Sequence, residues 1–191
     1  KHYENGKQDE YDRDLINRYN KGELLSADSI HFPDSMKFNT LETNRIVYGG
    51  GGIMPDVFIP VDTTKYTTYH RKLVASGIIN RAAMNYEDKY RDKLKKEYKK
   101  FSKYNEEFEV GEEILQDMKY MAEKEKIEFK EEEYNKSLAL IKLQIKALIA
   151  RDLYDMNEYF QIINNASDSY NEALKIINDD EIYNKILGRG K

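Results

Sequence analysis

The sequence contains no cysteine, no tryptophan and only three prolines among its 191 residues. Without cysteine the chain cannot form a disulfide, a thiolate metal site or a cysteine nucleophile. The absence of cysteine does not identify the cellular compartment of the protein. No apolar run approaches the roughly 18 residues that a membrane-spanning helix needs. The net charge of -4 lacks the basic excess that is typical of nucleic-acid binding. These absences predict a chain without a transmembrane segment and without a nucleic-acid partner.

What the sequence does contain is charge (35% of residues), tyrosine (16 residues) and apolar positions at helical spacing. The segment from Tyr134 to Phe160 is apolar on more than one face, so we predict that it lies at the centre of a helix bundle. A capping box, Ser169-x-x-Glu172, predicts the start of a later helix. Two further stripes are formed by Tyr86, Tyr90, Leu94, Tyr98 and Phe101, and by Ile114, Leu115, Met118, Met121 and Ala122.

The N-terminal third of the chain has a different character. After one predicted helix, between Glu10 and Leu25, it contains turns and two short apolar runs around four consecutive glycines. The run from Val57 to Val61 predicts a strand, which Pro60 confines to an edge or an end of a sheet. Two or three strands do not make a stable sheet of their own, so they need a partner in the helices or in another chain.

We therefore predict a mainly α fold with two domains. Residues 1–62 would form the terminal strands and turns, with one short helix, and residues 63–191 would form a multi-helix bundle. Residues 87–103 carry eight basic side chains against four acids, and residues 106–133 carry twelve acids against four lysines. This contrast predicts an antiparallel helix pair with complementary faces, or else a basic helix that meets an acidic surface elsewhere.

The four glycines, Gly49 to Gly52, are the first candidate site. Successive backbone N–H groups can form a nest for an anion, which would suit a phosphate-binding enzyme. The glycines match neither the Walker pattern nor the dinucleotide pattern, however. A tight strand connection, or a close approach of neighbouring backbone, is the favoured interpretation.

The other polar candidates indicate no catalytic, cofactor or metal site. The histidines His2, His31 and His70 are far apart and are expected at the surface, although a shared zinc site stays open. No serine has a lysine three positions later and no Gly-x-Ser-x-Gly elbow occurs, although a sequence-distant Ser–Lys pair stays open. The carboxylates of Asp152 and Asp155 beside Arg151 are expected to form ion pairs or caps.

Several blocks of the chain resemble a known family. The segment from Arg45 to Ile59, with its glycines and its Pro55–Asp56 pair, resembles the end of the peptidase domain in the C-terminal processing peptidases, or tail-specific serine proteases. The fuller run from Asp14 to Val61 looks like the version in Bacteroidetes-type members. Two helical blocks, Leu73 to Arg81 and Ile145 to Asp152, are similar to the C-terminal extension of the same group.

The resemblance implies a function without chemistry of its own. In that family a PDZ domain and a peptidase core with a Ser–Lys dyad precede the glycine-rich segment, so no residue here inherits a catalytic role. The chain would be the non-catalytic C-terminal region of a bacterial cell-envelope or periplasmic serine endopeptidase, and residues 1–62 would be a remnant of the peptidase core. The family-marker turn consists of Gly49, Gly50, Gly51, Gly52, Pro55 and Asp56.

The resemblance also implies partners. The helical domain would scaffold, regulate or oligomerise the enzyme, whose protein substrates are cut at their C-termini. The implied partners are the remainder of the parent peptidase, protein substrates through that parent, and a second copy in a homo-oligomer. The alternative is a free-standing helical protein-interaction module unrelated to proteolysis.

Overall fold

The computed structural model describes residue 9 and residues 13–31, 34–49 and 55–189. Helices dominate it, so the prediction of a mainly α fold with a multi-helix bundle is confirmed. The helices are α1 (Asp14–Asn20), α2 (Thr68–Ala75), α3 (Ile78–Glu97), α4 (Phe101–Glu107), α5 (Glu112–Lys124), α6 (Glu131–Leu153), α7 (Met156–Ile163), α8 (Asp168–Ile177) and α9 (Asp180–Ile186). The strands are β1 (Lys37–Asn39) and β2 (Ile46–Tyr48).

The chain forms two compact units. One unit runs from Thr63 to Ser167 and is called the helical unit below. The other, the ribbon unit, comprises the described residues before Thr63 together with those after Ser167. One boundary thus coincides with that between the predicted domains. The second boundary, before α8, has no counterpart in the prediction.

Helix α6 lies at the centre of the helical unit, as its apolar faces predicted. It packs against α2, α3 and α7. Ile141, Ile145 and Ile149 are completely buried along one side of it, at the four-residue spacing that stacks side chains on one helix face. Burial of each such side chain contributes about 1.5–3 kcal/mol. The hydrophobic core of this unit is therefore organised around α6.

Two helix ends differ from the sequence-based expectation. The apolar segment from Tyr134 to Phe160 is divided between α6 and α7, because Tyr154 leaves the helical conformation and Asp155 caps α7 by accepting from the N–H of Met156. The Tyr154 hydroxyl donates to the carbonyl of Tyr98, which itself lies between α3 and α4. The two breaks therefore contact each other through this hydrogen bond.

Helices α3 and α5 carry the basic and acidic segments and pack together, as the charge pattern predicted. Lys89 on α3 pairs with Glu113 on α5 at 2.6 Å, and Arg81 pairs with Glu125 just after α5. The order of these partners shows that the helices are antiparallel. Each exposed ion pair contributes only about 0.2–1 kcal/mol, so the pairs set the register more than the stability.

The ribbon unit contains a two-stranded antiparallel sheet in which Phe38 lies opposite Val47. The strand predicted from Val57 to Val61 is wrong. That stretch is irregular, and no strand lies beside it in the described part of the chain. The N–H of Val61 instead donates to the carbonyl of Leu24. Pro60 also lacks the N–H that a ladder needs.

The predicted capping box at the start of α8 is also wrong. The helix begins at Asp168, so Ser169 lies inside its first turn and does not cap it. An acidic side chain in the first turn is favourable there, because the helix N-terminus carries a partial positive charge.

Candidate functional site

The family-marker turn is described at Gly49, Pro55 and Asp56, while Gly50, Gly51 and Gly52 lie outside the described residues. The carboxylate of Asp56 accepts a hydrogen bond of 2.6 Å from the guanidinium of Arg45. This pair joins the two sides of the glycine segment through side chains, and both partners are part of the block that carries the family resemblance.

The same guanidinium reaches a helix end. Nη1 of Arg45 donates to the carbonyl of Ile186, in the last turn of α9, at 2.8 Å. Carbonyl groups in the last turn of a helix lack partners within the helix, and a cation beside them is stabilising. Asp56 therefore holds an arginine that caps α9. This arrangement gives Asp56 of the marker turn a structural role.

Gly49 allows the ring of Phe38 to come close to the backbone. A Cβ atom at this position would lie 2.8 Å from Cε2 of Phe38, closer than such contacts normally come. The ring of Phe38 thus lies over the glycine, diagonally across the ribbon. The neighbour at this glycine is thus a side chain on β1 and not the backbone that we expected.

The histidines are placed differently from one another. His31 is exposed, whereas His70 is buried and its Nε2 lies 2.9 Å from Oε1 of Gln144. The prediction of a surface position is therefore wrong for His70. This residue lies on α2 and contacts Gln144 of α6. His2 lies outside the described residues. Across the described ranges, no group of His, Asp and Glu side chains is arranged to hold a metal ion.

Other polar residues of the helical unit have structural roles. Ser137 is completely buried, and its hydroxyl lies 2.7 Å from that of Thr67 and donates to the carbonyl of Lys65. Arg151 pairs with Asp152 at 2.9 Å, and Asp155 caps α7. These carboxylates thus form an ion pair and a cap, as the sequence predicted.

A groove in the helical unit is the candidate site that sequence reasoning missed. It has a volume of about 650 Å³ and lies along α5, the connection that follows α5 and the start of α2. The residues that line it are Tyr69, Gln116, Lys119, Tyr120, Ala122, Glu123, Lys126, Ile127, Glu128 and Phe129. We call it the aromatic groove.

Three rings in mutual contact support this groove. Tyr69 meets Phe129 edge to face at 5.6 Å and meets Tyr134 at 6.3 Å, and the Phe129 and Tyr134 rings are 5.3 Å apart. Nζ of Lys119 lies 4.3 Å from the centre of the Tyr134 ring and 5.3 Å from that of Phe129. Burial raises the pKa of the Tyr69 hydroxyl, so this group stays neutral at physiological pH.

The aromatic groove has the chemistry of a binding surface. Phe129 and Tyr120 remain about half exposed at its rim, and aromatic side chains of this kind supply most of the energy at many interfaces. The rim charges are mixed, with Lys119 and Lys126 against Glu123 and Glu128. One sequence signal could have indicated the groove. Ile127 and Phe129 are two apolar residues isolated in an acidic segment directly after a helix.

Within the described residues, no helix is both long and apolar enough to cross a membrane. No curated protein and no solved structure matches the chain. Residues 69–155, however, match the model of a family of unknown function, DUF8443. This match begins at Tyr69, spans all the other residues of the aromatic groove and ends just before α7. Over that part of the helical unit, the chain is similar to a family of unknown function.

Proposed function

We propose that the chain is the non-catalytic C-terminal region of a cell-envelope serine endopeptidase of the C-terminal processing type. Its helical unit would be a scaffolding, regulatory or oligomerisation module, and its partners would include the remainder of the parent peptidase. The parentage rests on the ordered blocks from Asp14 to Val61 and in the helices. Periplasmic or cell-envelope localisation follows from the same resemblance.

The aromatic groove is the observation that carries the module role. It offers half-exposed rings to a protein surface. In contrast, the buried polar side chains of His70 and Ser137 are engaged in structural contacts with Gln144 and Thr67. A module that binds and positions other protein parts needs a surface of this kind and needs no nucleophile.

A fluorophosphonate probe, which labels activated serines, tests the parentage. This chain alone is expected to remain unlabelled and to leave an unfolded protein uncut, whereas the parent enzyme is expected to be labelled. Serine-dependent cleavage by this chain would overturn the proposal. So would a coding sequence upstream that lacks a PDZ-like segment followed by a serine and a lysine.

The same assay on the parent tests the module role. Phe129→Ala is expected to change the cleavage rate or the assembly state several-fold, because it removes a groove ring. Phe160→Ala is the matched control, since Phe160 is equally exposed, at 50% against 48%, and does not line the groove. Equal effects of the two variants would exclude the groove as the interaction surface.

A free-standing helical interaction module is the second candidate function. The helical unit favours it, because that unit encloses its own core and the family match lies entirely within it. If the fluorophosphonate probe labels no serine in the natural full-length protein, this candidate is favoured over the peptidase.

A further inference from the structure

The ribbon of β1 and β2 has an edge with unpaired backbone groups. In an antiparallel pair, residues alternate between those that exchange both backbone hydrogen bonds with their partner and those whose N–H and C=O point outward. The bonds at the two ends of the ribbon fix this alternation. They are Gly49 N–H to the Met36 carbonyl at 2.8 Å and Thr40 N–H to the Arg45 carbonyl at 2.9 Å.

With this alternation, Phe38 exchanges both backbone bonds with Val47, and the N–H and C=O groups of Lys37 and Asn39 point away from β2. The sheet has two strands, and no hydrogen bond within the described part of the chain engages these outward groups. All three residues of β1 are exposed, and the side chain of Phe38 is 59% exposed. Edges of this type are templates for addition of another strand.

The edge of β1 is complementary to itself. If a second β1 lies antiparallel with Phe38 on the two-fold axis, Lys37 faces Asn39 of the other copy, and Asn39 faces Lys37. These outward residues then form two mutually bonded pairs with four backbone hydrogen bonds. The two Phe38 residues form the non-bonded pair in between, where side chains come closest.

Charge and side-chain character fit the same pairing. Each lysine faces a neutral asparagine, so no like charges lie opposite one another, and Lys37 is already paired with Asp34 at 2.5 Å. The two phenylalanine rings meet on the axis, and aromatic cross-strand pairs contribute about 0.2–1 kcal/mol. We propose that β1 of this chain pairs with β1 of a second copy, which gives a four-stranded sheet across a two-fold axis.

This proposal concerns the β1 edge alone. It does not depend on the parentage proposed above, because it follows from the register of the ribbon. A three-residue strand buries less than the roughly 1,000 Å² of a stable interface, so the pairing is expected to be weak and transient. A covalent trap is therefore the appropriate test.

Because the chain contains no cysteine, a thiol that is introduced by substitution can form a disulfide only with the same residue of a second copy. In Phe38→Cys the only two thiols of a dimer would lie in a non-bonded antiparallel pair, with Cα atoms about 4.5 Å apart, within disulfide range. Mild oxidation is expected to produce a disulfide-linked dimer at least tenfold faster than in Leu41→Cys. Leu41 is fully exposed, but the two copies of that residue would lie about 20 Å apart along the strands.

A second variant separates strand pairing from chance collision. Asn39→Pro removes two of the four intermolecular bonds but no bond of the β1–β2 ladder, since the Asn39 N–H points outward. Added to Phe38→Cys, it is expected to slow dimer formation at least fivefold. Equal rates for Phe38→Cys and Leu41→Cys would overturn the proposal, and so would insensitivity to Asn39→Pro. Loss of the dimer when the parent's upstream residues are present would assign the edge to the parent's own sheet and would also overturn it.

Discussion

At the scale of single residues, Glu87 is notable because it is an acidic side chain buried in the helical unit. It lies on α3 and is only 1% exposed, with Oε2 bonded to Arg91 at 2.6 Å and Oε1 buried without a hydrogen-bond partner in the described structure. Burial raises the pKa of this carboxyl, because the loss of hydration outweighs the attraction of Arg91. Nearby Asp88 and Asp152 raise it further.

The raised pKa predicts a specific pH dependence of stability. A carboxyl whose pKa is higher in the folded state favours folding when protonated, so its contribution is present at low pH. That contribution is lost as the pH rises from about 4.5, the ordinary value, through the folded pKa. Glu87→Gln removes the titration. The stability of the natural chain relative to this variant is expected to fall over that window, by at most about 1.4 kcal/mol per pH unit.

Urea unfolding between pH 4 and pH 8 measures this difference. Asp92→Asn is the matched control, because it removes an exposed carboxylate from the same helix. Comparison with this control separates the effect of the buried carboxyl from the effect of removing any negative charge from α3. Parallel pH profiles for the natural chain and Glu87→Gln would show that the buried carboxyl does not titrate in this range.

At the scale of elements, the connection between α2 and α3 depends on one glycine. Gly77 has a φ of 68° and precedes α3 directly, in the left-handed region that other residues adopt at a cost. A Cβ atom at this position would meet nothing within 4 Å. Its conformation, and not lack of space, therefore requires glycine.

Gly77→Ala is expected to lower the free energy of unfolding by about 1–2 kcal/mol through this backbone strain. Gly111, before α5, gives a matched control. An added Cβ atom meets nothing there either, but its φ is -82°. Gly111→Ala is expected to cost clearly less, about 0.5–1 kcal/mol, because it exchanges the N-cap glycine of α5 for the less favourable alanine without adding strain at positive φ. Thermal unfolding of both variants measures the contrast, and equal losses would contradict the conformational explanation.

The elements also mark the limit of what the sequence could predict. The stripe through Tyr86 and Leu94 predicted a helix because local periodicity depends only on neighbouring residues. Local periodicity did not predict the break at Tyr98, whose carbonyl accepts a hydrogen bond from Tyr154, 56 positions away. Short-range patterns thus identified helices but not all of their ends.

The candidate sites show the same limit more strongly. The aromatic groove joins Tyr69 to Phe129, which no helical or strand period relates. Asp56 could be singled out from the marker turn, but its arginine also bonds Ile186, 141 positions beyond Arg45. A sequence pattern can nominate such residues, and only the tertiary contacts show whether they bind a ligand or hold a helix.

At the scale of the whole molecule, the two units differ in how they are stabilised. All buried core residues among the described ranges lie between Tyr69 and Ile162, inside the helical unit. In the ribbon unit, no residue whose side chain the structure describes is buried. Since burial of apolar surface is the main favourable term in folding, the helical unit contains nearly all of the stabilising core.

The helical unit is therefore expected to fold on its own. Its two ends meet, because Nζ of Lys65 donates to the carbonyl of Ala166 at 2.9 Å, so a chain of residues 63–167 would retain this closure. We expect its melting temperature, followed by circular dichroism, to lie within about 5 °C of that of the full chain, a difference of roughly 1 kcal/mol for a domain of this size. A shorter chain, residues 63–153, lacks α7 and the almost completely buried Ile162, and it is expected to melt well below both. Unfolding of residues 63–167 at room temperature would instead mean that residues outside this range supply stability that their burial does not reveal.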